Sequence, residues 1–160
     1  MSRYAYFAGG CFWGVEYFFS QVQGVQKVLC GYMGGAMVNP TYEDVCYKNT
    51  GHLEVVQVAY DDTIVNFEAL AKLFFEIHDP TQKNGQGPDI GQQYLSCIFY
   101  NDANEKNIAS NLITLLEKKG YDIATLLREA TMFYPAETYH QHYYQNHGKM
   151  PYCHAYTQRF

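Results

Sequence analysis

The sequence is short of charge, of paired cysteines and of long apolar runs, and each shortage excludes something. Only 17% of its 160 residues are Asp, Glu, Lys or Arg, below the roughly 25% of an average soluble domain. The formal net charge is −5 and no basic block occurs, which argues against a nucleic-acid partner. No stretch approaches the ~20 apolar residues that a membrane-spanning helix needs, so no membrane partner is expected. No positive segment followed by an apolar run reads as a secretory signal. The five cysteines, Cys11, Cys30, Cys46, Cys97 and Cys153, are odd in number and scattered, with no CxxC pair. Neither a zinc ribbon nor a thioredoxin-type motif can form locally. His140, His142, His147 and His154 crowd the last quarter, but His140 and His142 stand two apart and share no helix face, and HExxH is absent, so no metal site is expected. These exclusions leave a cytoplasmic protein with reduced thiols, and a monomer is expected. With no repeat, low-complexity tract or linker, residues 1–160 read as a single catalytic domain.

What the chain has in abundance is aromatic rings, 16 Tyr and 10 Phe. Tyr brings a hydroxyl wherever it brings a ring, which suits a polar-lined aromatic pocket. Residues 3–8 alternate as a short strand. Over 13–23, Val15, Phe18, Phe19 and Val22 form one helical face. Strands are expected at 25–33 and 53–60, with a Gly/Asn/Pro/Thr-rich loop at 34–51 that is long enough to suspect function. Residues 66–79 read as a helix with Asn66 as cap, stopped by Pro80. A polar loop at 81–91 leads to a strand at 93–100. This β-α-β-β-α-β order is the split βαβ plan. The fold class expected is α+β, a two-layer sandwich built on a ferredoxin-like split β-α-β core. Extra C-terminal helices follow, the first capped by Asp102 and ended by Gly120 with Ile108, Leu112, Leu115 and Leu116 facing inward. A short strand near 131–134 and an irregular C-terminal tail complete the chain.

The segment Gly9-Gly10-Cys11-Phe12-Trp13-Gly14 carries the first chemical signal. A strand ending in glycines and turning into a helix puts Cys11 at a helix N-terminus, where unpaired N–H groups and the dipole favour an anion. A thiolate nucleophile gains from both; a small buried hydrophobe is the other reading. Trp13 occupies the place of the last glycine of a Gly-x-Cys-x-Gly elbow, which weakens a hydrolase reading. Phe12 and Trp13 are either core or a wall for a methyl or thioether group. Glu54 interrupts an apolar strand on the face of Val56, Val58 and Tyr60. Such a carboxyl pairs, reaches the strand end in water, or stays protonated as a general acid. Tyr42 lies in the long loop, and Asp89 and Tyr94 flank the start of a strand. Cys153, in the tail, is placed to close a transient disulfide or is incidental.

Together these residues resemble the A-type peptide methionine sulfoxide reductases. The carrying segments are AGGCFWGVE (8–16), GYMGG…NPTYEDVC (31–46), TGHLEVVQVAYD (50–61), HDPTQKNGQGPDIGQQYLS (78–96) and AETYHQHYYQNHG (136–148). The resemblance implies Cys11 as nucleophile toward the sulfoxide sulfur and Phe12 and Trp13 as the pocket for its S-methyl. It implies Glu54 as the acid at the sulfoxide oxygen, Tyr42 and Tyr94 as hydroxyls bonding that oxygen, Asp89 as orienting the substrate backbone, and Cys153 as resolving cysteine. It further implies methionine-S-sulfoxide, free or in proteins, as substrate, thioredoxin or another dithiol as reductant and partner, and no metal or organic cofactor. The chain ends seven residues after Cys153, so a single resolving cysteine is expected. Cys30, Cys46 and Cys97 read as structural. Two rivals stay open: a thiol peroxidase acting through Cys11, and a non-enzymatic module that binds oxidised methionine or an aromatic ligand.

Overall fold

The computed structural model describes residues 2–152 and 154–160. Among the described residues there are eight strands: β1 (Ser2–Gly9), β2 (Val25–Met33), β3 (Leu53–Asp61), β4 (Gly85–Gln86), β5 (Asp89–Ile90), β6 (Ser96–Tyr100), β7 (Leu126–Glu129) and β8 (Tyr134–Pro135). Five α-helices accompany them: α1 (Phe12–Phe19), α2 (Tyr42–Tyr47), α3 (Phe67–Ile77), α4 (Ala103–Lys118) and α5 (Tyr143–His147). The main sheet runs β7-β6-β1-β3-β2-β8, and β4 and β5 form a separate small hairpin. The middle four strands, β6-β1-β3-β2, pair antiparallel throughout. With α1 between β1 and β2 and α3 between β3 and β6, this is the split βαβ sandwich that the sequence order implies.

The layers follow from the two periodicities of the chain. Alternation in β3 sends Val56, Val58 and Tyr60 to one face, where they join Phe12, Val15 and Phe19 of α1, Phe67, Leu70 and Phe74 of α3, and Leu112 and Leu116 of α4 in one buried cluster. Phe7 of β1 stacks at 5.0 Å on Phe19 and at 5.2 Å on Phe74, tying both helices to the central strand. The opposite face holds a smaller cluster around Met33, Leu53, Val55 and Phe99. Asn66 and Asp102 cap α3 and α4, each side chain accepting an N–H three residues on.

Five details depart from the expected elements. The loop at 34–51 contains α2, whose start is a capping box between Thr41 and Asp44. Residues 92–94 form a 3-10 turn instead of the start of a strand, so β6 begins at Ser96. The extra strand β7 pairs parallel to β6, and β8 sits at 134–135, just past the expected strand. Leu115 is 46% exposed, because the stripe that α4 buries runs through Ala109, Leu112 and Leu116.

Candidate active site

Cys11 is the N-cap of α1, and its carbonyl accepts from Gly14 N–H at 3.2 Å. The turn before it needs glycine. Gly10 has φ +92°, and a Cβ there would stand 2.5 Å from Gln86 Cβ. Gln86 is itself fixed: its Oε1 accepts from Asp79 N–H at 2.8 Å and its Nε2 donates to Asp79 carbonyl at 2.9 Å. The loop that carries Asp89 is thereby locked to the Cys11 turn, since Gln86 also pairs with Asp89 in the small hairpin.

Glu54 resolves one of the open readings. It is 2% exposed, far from a strand-end side chain in water, and its Oε1 accepts from Phe12 N–H at 3.2 Å. The residue after Cys11 and the buried carboxylate are thus in direct contact. Across the sheet Glu54 is paired in register with Tyr32, whose hydroxyl donates to Glu137 Oε1 at 3.4 Å. Burial above all, then the Glu54 charge, pushes the Tyr94 hydroxyl well up from its ordinary value, with Cys46, Asp89 and Cys11 adding to it. Burial also raises the Tyr42 hydroxyl, followed by its bond with Cys46 and the charge of Glu54. Both phenols therefore keep their protons and stay hydrogen-bond donors beside Glu54. Cys11, Glu54, Tyr42 and Tyr94 occupy one electrostatic neighbourhood, and Asp89 borders it through Tyr94. Tyr152 hydroxyl lies 3.4 Å from both Asp89 oxygens. Cys153 lies outside the described residues.

Phe12 and Trp13 differ in burial and in partners. Phe12 is fully buried, with Tyr32 at 5.7 Å and His140 at 5.4 Å between ring centroids. Trp13 is half-buried, stacked on Tyr143 at 3.7 Å and 6°, with its Nε1–H donating to His140 Nδ1 at 3.1 Å. Because an indole only donates, His140 Nδ1 is the bare nitrogen and Nε2 carries the proton. Burial holds the imidazole below its ordinary value, against a smaller upward pull from Glu137, so it is neutral. His140 also touches Tyr42 at 4.4 Å. A groove of about 390 Å³ continues outward from Trp13, lined by Tyr143, Tyr144, Lys149, Met150 and Tyr152.

Several contributors escape a reading of the sequence. His140 was visible only as part of a histidine cluster whose spacing suits no metal. Among the described residues no group of three or more His, Cys, Asp or Glu stands ready to hold an ion. Glu137 accepts from Tyr42 N–H at 3.1 Å as well as from Tyr32. Glu16, 2% exposed, accepts from His142 N–H at 2.9 Å, and burial raises its carboxyl despite the bonds from His142 and Tyr143 that oppose the shift. Burial, reinforced by Glu16 and Glu54, pushes the Cys30 thiol up, and burial alone drives Cys97 up to about 12. Neither is a ready thiolate. Cys46 is also raised, mainly by burial, and sits against Tyr42.

The sequence profile of the peptide methionine sulfoxide reductases matches residues 3–160. The chain belongs to this family. It is similar to the peptide methionine sulfoxide reductase MsrA of Nautilia profundicola, 47% identical over 149 residues, covering 93% of this chain and 86% of that protein. Its fold is similar to the reduced form of Mxr1 from Saccharomyces cerevisiae, with TM-score 0.89 and 32% identity over 99% of this chain and 93% of that one. A crystal structure of Mxr1 in complex with Trx2 also superposes, with TM-score 0.63 and 25% identity over 97% of this chain and 89% of that one. As a member of the peptide methionine sulfoxide reductases the protein is an oxidoreductase that reduces methionine sulfoxide, and no described helix is long and apolar enough to cross a membrane.

Proposed function

We propose that the protein reduces methionine-S-sulfoxide, free or within proteins, at a site made of Cys11, Glu54, Tyr42 and Tyr94, with Cys153 as resolving thiol. The observation that carries this is the buried Glu54 carboxyl group against the backbone of Phe12, one residue from the thiol, and it acts as the acid in its protonated form. Sulfoxide sulfur is a weak electrophile, and its oxygen leaves only with a proton. A nucleophile and an acid on opposite sides of one S–O bond are the minimum equipment. Cys11 attacks the sulfur and Glu54 delivers the proton to the oxygen, with the Tyr42 and Tyr94 hydroxyls donating to that oxygen as negative charge grows on it. The hydroxyl so formed passes to the Cys11 sulfur as the bond between the two sulfurs breaks, so methionine leaves and Cys11 becomes a sulfenic acid. The Cys153 thiol condenses with it, forming a disulfide and releasing water, and an external dithiol returns both thiols.

Phe12 and Trp13 receive the S-methyl, Asp89 orients the substrate backbone, and the groove beyond Trp13 takes flanking residues of a peptide. Fixing methyl, oxygen and backbone at three points selects one epimer, and the resemblance to the A-type reductases points to the S form. The electrons come from thiols, so the chemistry requires neither metal nor organic cofactor. The structure of Mxr1 with Trx2 favours thioredoxin as the dithiol.

The test is a stoichiometric turnover. Reduced protein without added reductant is mixed with racemic methionine sulfoxide. About one equivalent of methionine, depletion of the S epimer alone and loss of two thiols are expected. One equivalent with a lasting sulfenic acid removes Cys153 from the cycle. No methionine at all overturns the reading and makes hydroperoxide the next substrate to examine.

A further inference from the structure

The residue that follows Cys153 in the chain is buried in the nucleophile turn. His154 is 5% exposed, and its Nε2–H donates to the carbonyl of Gly9 at 2.6 Å. Its ring fills a notch that exists only because Gly14 has no side chain. A Cβ on Gly14 would overlap the imidazole at Nδ1, Cγ and Cε1, and one on Gly10 would stand 3.6 Å from Nε2. Gly9, Gly10 and Gly14 bracket Cys11 on both sides. A tail residue 145 positions away from Gly9 is therefore keyed into the few backbone atoms that present the thiol.

We infer that His154 is the positioning residue of the disulfide-forming step: seated among Gly9, Gly10 and Gly14, it fastens the tail to the Cys11 turn one residue from Cys153. This rests on the proposed two-cysteine cycle and deepens it. In the step concerned, the Cys153 sulfur bonds to the Cys11 sulfur, the S–O bond of the sulfenic acid breaks, and the hydroxyl leaves as water with the thiol proton. No outside oxidant is involved, because the sulfoxide has already supplied the oxidising equivalent. Consecutive Cα atoms stay about 3.8 Å apart, so an anchored His154 restricts how far the resolving thiol can stray, and a restricted partner reacts faster than a free one. The methionine-forming step needs no thiol from the tail.

The tail has further attachments beyond this point. Thr157 N–H donates to Glu76 carbonyl at 2.7 Å, and Arg159 N–H donates to Glu76 Oε2 at 3.0 Å. A change at His154 thus leaves the chain end fastened to α3.

The experiment is a single-turnover comparison of wild type, His154→Ala and His154→Gln. Methionine release, sulfenic acid trapped by a dione probe and free thiols are followed in time. In His154→Ala, one equivalent of methionine is expected at the wild-type rate, with disulfide formation slowed about tenfold or more and sulfenic acid accumulating. His154→Gln, whose amide places an N–H where Nε2–H stood, is expected to recover part of the lost rate. Gly14→Ala, which fills the notch from the other side, should slow the same step. Disulfide formation at the wild-type rate in both His154 variants overturns the inference. Equal loss of both steps also overturns it, because the residue then only supports the fold. Failure of wild type to form methionine would instead sink the cycle itself.

Discussion

Glu54→Gln separates a carboxyl that gives a proton from one that only holds a backbone amide. The amide oxygen still accepts from Phe12 N–H, so the turn keeps its shape, but the acid is gone. Methionine release in a single turnover should fall about 10²- to 10⁴-fold, with sulfoxide binding little changed. A drop below about tenfold would assign the proton to another group. In the proposed mechanism Tyr42→Phe and Tyr94→Phe each remove one of two donors to the sulfoxide oxygen. Each alone should lose roughly tenfold in the same assay and both together more than about 10²-fold. Much of this was legible at the level of single residues. Cys11 stood out by its glycines, and Glu54 by its place on an apolar strand face. What the sequence left open was whether Glu54 reached water, since alternation gives the face and not the depth. His140, Glu137 and Glu16 were hidden for a related reason. Each serves the site by bonding a residue more than ninety positions away, and no local pattern marks such a contact.

At the scale of elements, α1 was readable from its spacing, whereas α2 was missed because a six-residue helix has too few turns to show a period. Its capping box, Thr41 with Asp44, was the available signal. The long-range ties between elements were the least visible part. Two glutamines act alike: Gln86 bonds Asp79 in both directions, and Gln141 accepts from Cys30 N–H at 2.8 Å while donating to Cys30 carbonyl at 2.9 Å. Glu16 adds a third tie, from α1 to the start of α5. Glu16→Ala should release the segment that stacks on Trp13. Because Trp13 is the only tryptophan in the chain, the change reads out as altered intrinsic emission, together with a raised KM for peptide sulfoxide. Unchanged emission and KM would show that His140 and Tyr143 hold the indole unaided. Gly10→Ala should destabilise the protein by about 1–3 kcal/mol, since φ +92° is strained for alanine and Gln86 blocks the Cβ; urea unfolding measures it.

For the molecule as a whole, one buried histidine gives the fold a direction in pH. His78 Nδ1–H donates to Phe74 carbonyl at 2.6 Å, and its Nε2 accepts from Ser96 hydroxyl at 2.8 Å. Burial, its largest influence, lowers the imidazole to about 3. The unfolded chain takes up this proton near the ordinary histidine value and the folded chain does not. Stability from His78 is therefore full above about 6.5 and is lost as pH falls toward 3, with a slope approaching about 1.4 kcal/mol per pH unit. Urea midpoints between about pH 6 and 4.5 should drop less steeply in His78→Gln than in wild type. An equal slope would place the acid sensitivity elsewhere. The ferredoxin-like core was legible from the order of strands and helices, while β7 and β8 were not, for they depend on which edges the core leaves open. Those two additions have a consequence for the company the protein keeps. The main sheet ends on one side in four residues and on the other in two, the last of them Pro135. Short rims carrying a proline give a stray strand little to zip onto. A peptide substrate of the proposed reaction would then meet the site without adding a strand to the sheet.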